Sequence, residues 1–255
     1  MLQLEMLNSS DIMITNELIQ AASKLRDDVD IIGDRLVKEG TVDCVYNPLI
    51  YAWEPHKAFI QLGGNKGAKT LLLGMNPGPH GMGQMGIPFS ATSVVRNLLK
   101  IRDLEVKQPR NIHPNRPITG LNWHKEEISG TRLWNLLESK YGNAEQIFSN
   151  VFIVNHCPLM LFKGERATNI TPDKISGKNT RELIERCDQH LKEVVEIMQI
   201  EKIVGVGKYA EKRAKKAFIG MDIEITGCWH PSPASPLANR NKGEDWRNNV
   251  RSVLP

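Results

Sequence analysis

Between Glu17 and Val37 the apolar residues Leu18, Ile19, Ala22, Leu25, Val29, Ile32 and Leu36 recur at intervals close to three or four, the spacing of one buried stripe on a helix. Ser10-Asp11 offers a cap ahead of this stripe and Glu39-Gly40 a stop behind it. The pattern changes at Thr70–Met75, a short unbroken apolar run bounded by glycine and proline, which predicts a strand buried on both faces. Similar runs return at Val151–Asn155 (VFIVN), Lys202–Gly207 (KIVGVG) and Asp222–Thr226 (DIEIT). Helices are predicted between them, over Ala91–Leu104, Ser129–Tyr141 and Asn179–Met198, with another after Gly207. Gln108–Gly120 carries three prolines and reads as a loop.

Strands separated by helices imply an α/β fold, a three-layer α/β/α sandwich around a central four-stranded, mostly parallel sheet. A chain of 255 residues with 40% hydrophobic content can bury one full core. One domain over residues 1–255 is therefore expected, with residues 1–40 as a helical extension packed on it.

Charge refines the picture only through its distribution, because a net charge of +4 is mild. One basic cluster runs from Arg96 to Arg116 (Arg96, Lys100, Arg102, Lys107, Arg110, Arg116), and a second comprises Lys208, Lys212, Arg213, Lys215 and Lys216. Each reads equally well as a solvated helix face or as a phosphate-binding surface. Cys44, Cys157, Cys187 and Cys228 are widely spaced with no C-x-x-C pair, which argues against an iron-sulfur cluster or zinc ribbon and suits a reduced intracellular protein. His156-Cys157 and Cys228-Trp229-His230 place neighbouring side chains on opposite sides of extended segments, so neither a metal site nor a cofactor is expected. The N-terminal MLQLEMLNSSD lacks a basic leader, and no apolar run reaches the roughly eighteen residues of a membrane span. The expectation is a soluble monomer, cytoplasmic, or nuclear in a eukaryote.

Ligands of parallel sheets bind beyond the carboxyl ends of the strands. There the first strand delivers Asn76 into LLLGMNPGPHGMGQMGIPFS (Leu71–Ser90), the second delivers Asn155, and the fourth delivers His230 into CWHPSPASPLANRNKGEDW. Singly, each has a plain structural role: NPGP is turn chemistry, Asn155 a loop cap, His230 a satisfied histidine and Phe89 a core ring. Together, at one sheet edge, they point to a site.

The ordered segments GMNPGPHGMGQMGIPF, VNHCPL and HPSPASPLAN resemble those of the single-strand-selective monofunctional uracil-DNA glycosylases, within the uracil-DNA glycosylase superfamily. The likeness extends through EEISGTRLWNLL, NITPDKI and VGVGKYAEKRAKKAF, roughly Lys69 to Trp246. It implies that Asn76 positions the attacking water and that His230 hydrogen-bonds the O2 of the departing uracil. It implies further that Phe89 stacks on the flipped base, that Asn155 reads its polar edge, and that Met75, Gly78 and Met82 complete the pocket. Ser232, Pro233, Ala234 and Ser235, with Arg240 and Lys242, are implied to meet DNA where the base has left. The implied partner is single-stranded, and by extension double-stranded, DNA carrying uracil or a 5-substituted or oxidised uracil. No motif lysine is placed for Schiff-base chemistry, Lys69 and Lys163 being the nearest in sequence.

The chain departs from the family pattern at Ala234 (a large basic residue in vertebrate relatives), His80 (an aromatic), Ser90 (glycine) and His156 (an aliphatic residue). Two alternatives stay open: specificity shifted to deaminated purines such as xanthine or hypoxanthine, and a non-catalytic module that binds nucleic acid or nucleobase.

Overall fold

Five consecutive buried residues, Thr70–Gly74, form a strand covered on both faces, because neighbouring side chains point to opposite sides. The structure, a computed structural model, describes residues 9–255. Its strands are β1 (Cys44–Tyr46), β2 (Thr70–Gly74), β3 (Val151–Asn155), β4 (Met160–Lys163), β5 (Thr168–Ile170), β6 (Lys202–Val206) and β7 (Glu224–Cys228). Its helices are α1 (Ser9–Lys38), α2 (Pro48–Tyr51), α3 (Trp53–Gly63), α4 (Met82–Met85), α5 (Ile128–Tyr141), α6 (Ala144–Asn150), α7 (Lys178–Met198), α8 (Lys208–Ala217), α9 (Pro236–Asn239) and α10 (Glu244–Arg251). Among the described residues no helix is long and apolar enough to cross a membrane.

The central sheet has the order β3-β2-β6-β7, all parallel. This is the four-stranded α/β sheet that the apolar runs predict, and its carboxyl edge collects Gly74, Asn155, Val206 and Cys228. The long α1 buries Leu18, Ala22, Leu25, Val29, Ile32 and Leu36, and packs along α7. The five larger aliphatic side chains among these, at about 2 kcal/mol each, make the burial of α1 a large share of the stability.

Three elements differ from expectation. The helix predicted over Ala91–Leu104 stops at Leu99, after a π turn over Val94–Leu98. Lys100 and Asp103 then take left-handed backbone (φ 56° and 55°), which lets Leu99 and Ile101 still reach the core without a further turn. The last strand lies at Glu224–Cys228, two residues later than Asp222–Thr226, because β6 continues to Val206 and the ladder fills only when Cys228 pairs with it. A second, antiparallel sheet in the order β1-β4-β5 is built from strands of three or four residues and packs beside the first motif.

His56, in α3, is buried, and its Nδ1 donates to the Gly86 carbonyl (2.7 Å). Burial pushes its pKa down to about 4, while His156, His190 and His230 are also lowered, burial being the main cause in each. The folded state therefore holds these rings neutral where the unfolded chain takes up protons. Stability is fully present above the ordinary histidine value of about 6.5 and is lost as pH falls toward 4; for His56 alone the difference is about 3 kcal/mol. Denaturant unfolding across this range should show the decline, and His56→Gln, less stable at neutral pH, should show a shallower one. An unchanged slope in the variant would remove His56 from the account.

Candidate active site

β2 and β3 continue to pair past their ends: the N–H groups of His156 and Cys157 donate to the carbonyls of Gly74 (3.0 Å) and Met75 (2.9 Å). This fixes Asn155 directly beside Gly74. A side chain on Gly74 is excluded, since a Cβ there would stand 2.1 Å from Asn155 Oδ1 and 2.5 Å from Phe89 Cε2. The amide of Asn155 and the ring of Phe89 thus close over a bare stretch of backbone. Asn155 Nδ2 reaches Met82 Sδ at 3.1 Å, and Met82 is itself buried against Cys157 and Leu159.

Phe89 has left-handed backbone (φ 52°), a conformation that costs on the order of 1 kcal/mol in a non-glycine residue and needs tertiary support. The support comes from α5. A Cβ on Gly130 would meet the Phe89 carbonyl at 2.1 Å, so only glycine lets the helix start approach this close. Glu127, just before α5, accepts hydrogen bonds from the N–H groups of His80 and Ser129 and lies against Gly78 and Gly81. Burial raises its pKa. Gln84 ties the far side of the loop, with Nε2 donating to the carbonyls of Pro79 (3.2 Å) and Pro117 (2.9 Å) and Oε1 accepting from Thr119 N–H (2.9 Å).

His230 stands two residues past β7, its ring 6.0 Å from that of Phe89 and inclined at 40°. Ser232 N–H donates to its Nδ1 (3.1 Å). An imidazole nitrogen that accepts is unprotonated, so the neutral ring carries its proton on Nε2. Burial lowers the pKa of His230 and keeps this neutral form. Asn76 follows the end of β2, and its Nδ2 is buried without a protein partner. A buried amide donor left unpaired costs about 1 to 3 kcal/mol unless something else bonds it, which suits a group meant for water or substrate.

The loop after His230 is pre-set. Arg132, from α5, donates to the Pro231 carbonyl (3.1 Å) and to Asn239 Oδ1 (2.9 Å), and Asn239 Nδ2 donates to the Pro233 carbonyl (2.7 Å). Ser232 Oγ accepts from Ala234 N–H, which leaves its hydroxyl proton free to donate outward. Pro233 and Ala234 are exposed at the tip, Ser235 half-buried. Arg240 is exposed but bound to Asp245 (3.0 Å), so its charge is largely compensated, and Lys242 sits on left-handed backbone (φ 52°). Sequence reasoning missed Arg132, Glu127, Gly74 and Gly130.

The departures at His80 and His156 have structural partners. His80 stacks on Trp123 (5.6 Å, 15°) and accepts from its Nε1. His156 is buried between Asp188 (2.9 Å) and Tyr209 (3.0 Å), with Arg213 closing the network on Asp188 (2.8 Å). That network braces the peptide after Asn155. Neither neighbouring lysine reaches the site: Lys69 lies at the opposite end of β2 with Nζ on the Gln199 carbonyl (3.2 Å), and Lys163 Nζ donates to the Thr41 carbonyl (3.1 Å).

A parallel sheet whose carboxyl edge gathers two asparagine amides, an imidazole and an aromatic ring fits base-excising enzymes, and the family model of the uracil DNA glycosylase superfamily matches residues 62–252. The chain is 40% identical over 201 residues to the single-strand selective monofunctional uracil DNA glycosylase of Bos taurus, covering 78% of this chain and 73% of that protein. It is 39% identical over 215 residues to the Rattus norvegicus protein of the same description, covering 84% and 75%. The chain therefore belongs to the single-strand selective monofunctional uracil-DNA glycosylase family of that superfamily. The crystal structure of wild-type SMUG2 from Pedobacter heparinus has the same fold, with a TM-score of 0.59 at 17% identity over 82% of this chain and 86% of that one.

Proposed function

We propose that the protein hydrolyses the N-glycosidic bond of uracil and 5-substituted uracils in DNA, acts as a monomer without a cofactor, and leaves an abasic site. The observation that carries this reading is the placement of a neutral, Nε2-protonated His230 beside the Phe89 ring, with that ring and the Asn155 amide both meeting over Gly74. As the bond from the sugar to the base breaks, negative charge collects on uracil, and a donor aimed at O2 stabilises charge that the ground state lacks. The sugar becomes an oxocarbenium-like cation, and water adds to it. Asn76 has no titratable group, so its part is to orient that water.

The Asn155 carboxamide offers an acceptor for the N3 proton of uracil and a donor for O4. Cytosine presents the reverse pattern and leaves both groups unpaired. Phe89 stacking adds on the order of 1 to 3 kcal/mol without choosing among bases. Ser232 and Ser235 supply donors for phosphates flanking the extruded nucleotide. The enzyme works wherever the cell keeps DNA, the nucleus or a bacterial cytoplasm.

A panel of oligonucleotides bearing uracil, 5-hydroxymethyluracil, cytosine, hypoxanthine or xanthine tests the specificity. Uracil and 5-hydroxymethyluracil should be released and cytosine retained by at least about a hundredfold, because a buried unpaired polar edge costs about 3 kcal/mol. Preferred release of the purines would contradict the assignment of Asn155.

A further inference from the structure

The two basic clusters, equivalent in sequence, separate once their partners are known. In the first, Arg96 bonds Asn122 (2.6 Å), Arg102 the Arg96 carbonyl (2.8 Å), and Arg116 the Ala167 carbonyl (2.8 Å), while Arg110 pairs with Asp30. Its arginines are committed to the fold, and its two lysines, Lys100 and Lys107, are exposed but lie seven residues apart on loop backbone and share no helix face. In the second, Arg213 pairs with Asp188 (2.8 Å) and Lys215 with Glu211 (2.6 Å). Lys208, Lys212 and Lys216 are exposed, and among the described residues none of the three has a side-chain partner.

Their spacing, four and eight residues along α8, puts all three on one helix face. That face lines a groove of about 410 Å3 with Tyr209 and Asp173, and the Asp173 carboxylate is occupied by Thr171 and Lys174. The stripe begins beside the catalytic edge: a Cβ on Gly207, the residue before Lys208, would lie 3.2 Å from His230 Cβ. From there it descends about 12 Å at about 1.5 Å per residue. A helix joining two parallel strands must run back against them, so the stripe leads down the flank of the molecule, away from the sheet edge.

We infer that the Lys208–Lys212–Lys216 face carries the backbone of single-stranded DNA leaving the base pocket, and that duplex DNA seated at the same edge does not use it. The inference rests on the uracil-excision reading of the site. A single strand turns through the angle between edge and flank freely; a duplex, with a persistence length of about 50 nm, does not without a large bending cost. The structure thus supplies one physical source of strand preference, lying outside the loop that follows His230.

The test compares K208Q/K212Q/K216Q with the wild type and with K215Q, whose lysine is already paired. Substrates are a long single strand with one uracil, the same sequence as duplex, and a uracil-containing trinucleotide, each over a salt series. For the long single strand, KM of the triple variant should rise about tenfold at low salt, and the slope of log KM against log salt should flatten by about 2, from about 0.7 per phosphate lost. The duplex, the trinucleotide and K215Q should behave as in the wild type. An unchanged slope, or a loss shared by duplex or trinucleotide, overturns the inference. Anisotropy with a uracil-free single strand reads the same slope without any excision, so failure of the track and failure of the excision reading are told apart.

Discussion

His230→Ala is expected to lower kcat for uracil excision about a hundredfold or more, on the order of 3 kcal/mol of transition-state stabilisation, with little change in KM. The size follows from when the hydrogen bond matters. Uracil O2 is an ordinary carbonyl in the bound substrate and carries much of the anion as the base departs, so in the proposed mechanism the Nε2–H of His230 contributes mainly in the second state. Ser232 N–H fixes that tautomer, and burial keeps the ring neutral. The same shift sets the pH profile. Because burial lowers the pKa of His230, kcat should stay level as pH falls through about 6.5, the ordinary histidine value, and decline only below it. Single-turnover rates across pH check both statements, and a decline centred at the ordinary value would contradict the buried, neutral assignment.

The second large effect is expected at a residue with no functional group. Gly74→Ala should lower kcat/KM at least about a hundredfold, because its methyl must occupy space 2.1 Å from Asn155 Oδ1 and 2.5 Å from the Phe89 ring. Both groups proposed to hold the base move together, and misplacement of about 1 Å is enough for a loss of that order. Gly40→Ala is the companion variant. Gly40, unlike Gly74, takes left-handed backbone (φ 76°), and nothing lies within 4 Å of a Cβ there. It should cost about 1 kcal/mol of stability and leave catalysis alone. Comparable activity losses in the two variants would show that Gly74 acts through general strain.

Why some features were legible in the sequence and others were not follows from the range of the interactions that make them. β2, β3 and β6 are continuous apolar runs, and α1 and α7 are long enough for the helical period to show. β1, β4 and β5, at three or four residues, are too short to carry a period and exist because they pair with one another. The last strand was displaced because its end is set by β6, not by its own composition. Asn76, Asn155 and His230 were visible as polar residues at strand ends. Gly74, Glu127, Gly130 and Arg132 were not, since each matters through a contact with a segment distant in sequence or through a methyl group it lacks. The basic clusters make the same point in charge: composition counts lysines, and only packing shows which of them are already paired.

The central claim, hydrolytic release of uracil by this sheet edge, is tested most directly by product analysis. A single-stranded oligonucleotide carrying one uracil is incubated with enzyme, and free uracil is quantified by chromatography while the strand is run on a gel before and after alkali. The account predicts one free uracil per strand, a strand intact until alkali cuts it at the abasic site, and loss of both signals in Asn76→Ala and His230→Ala. Retention of uracil by the wild type, or a strand cut without alkali, would contradict it.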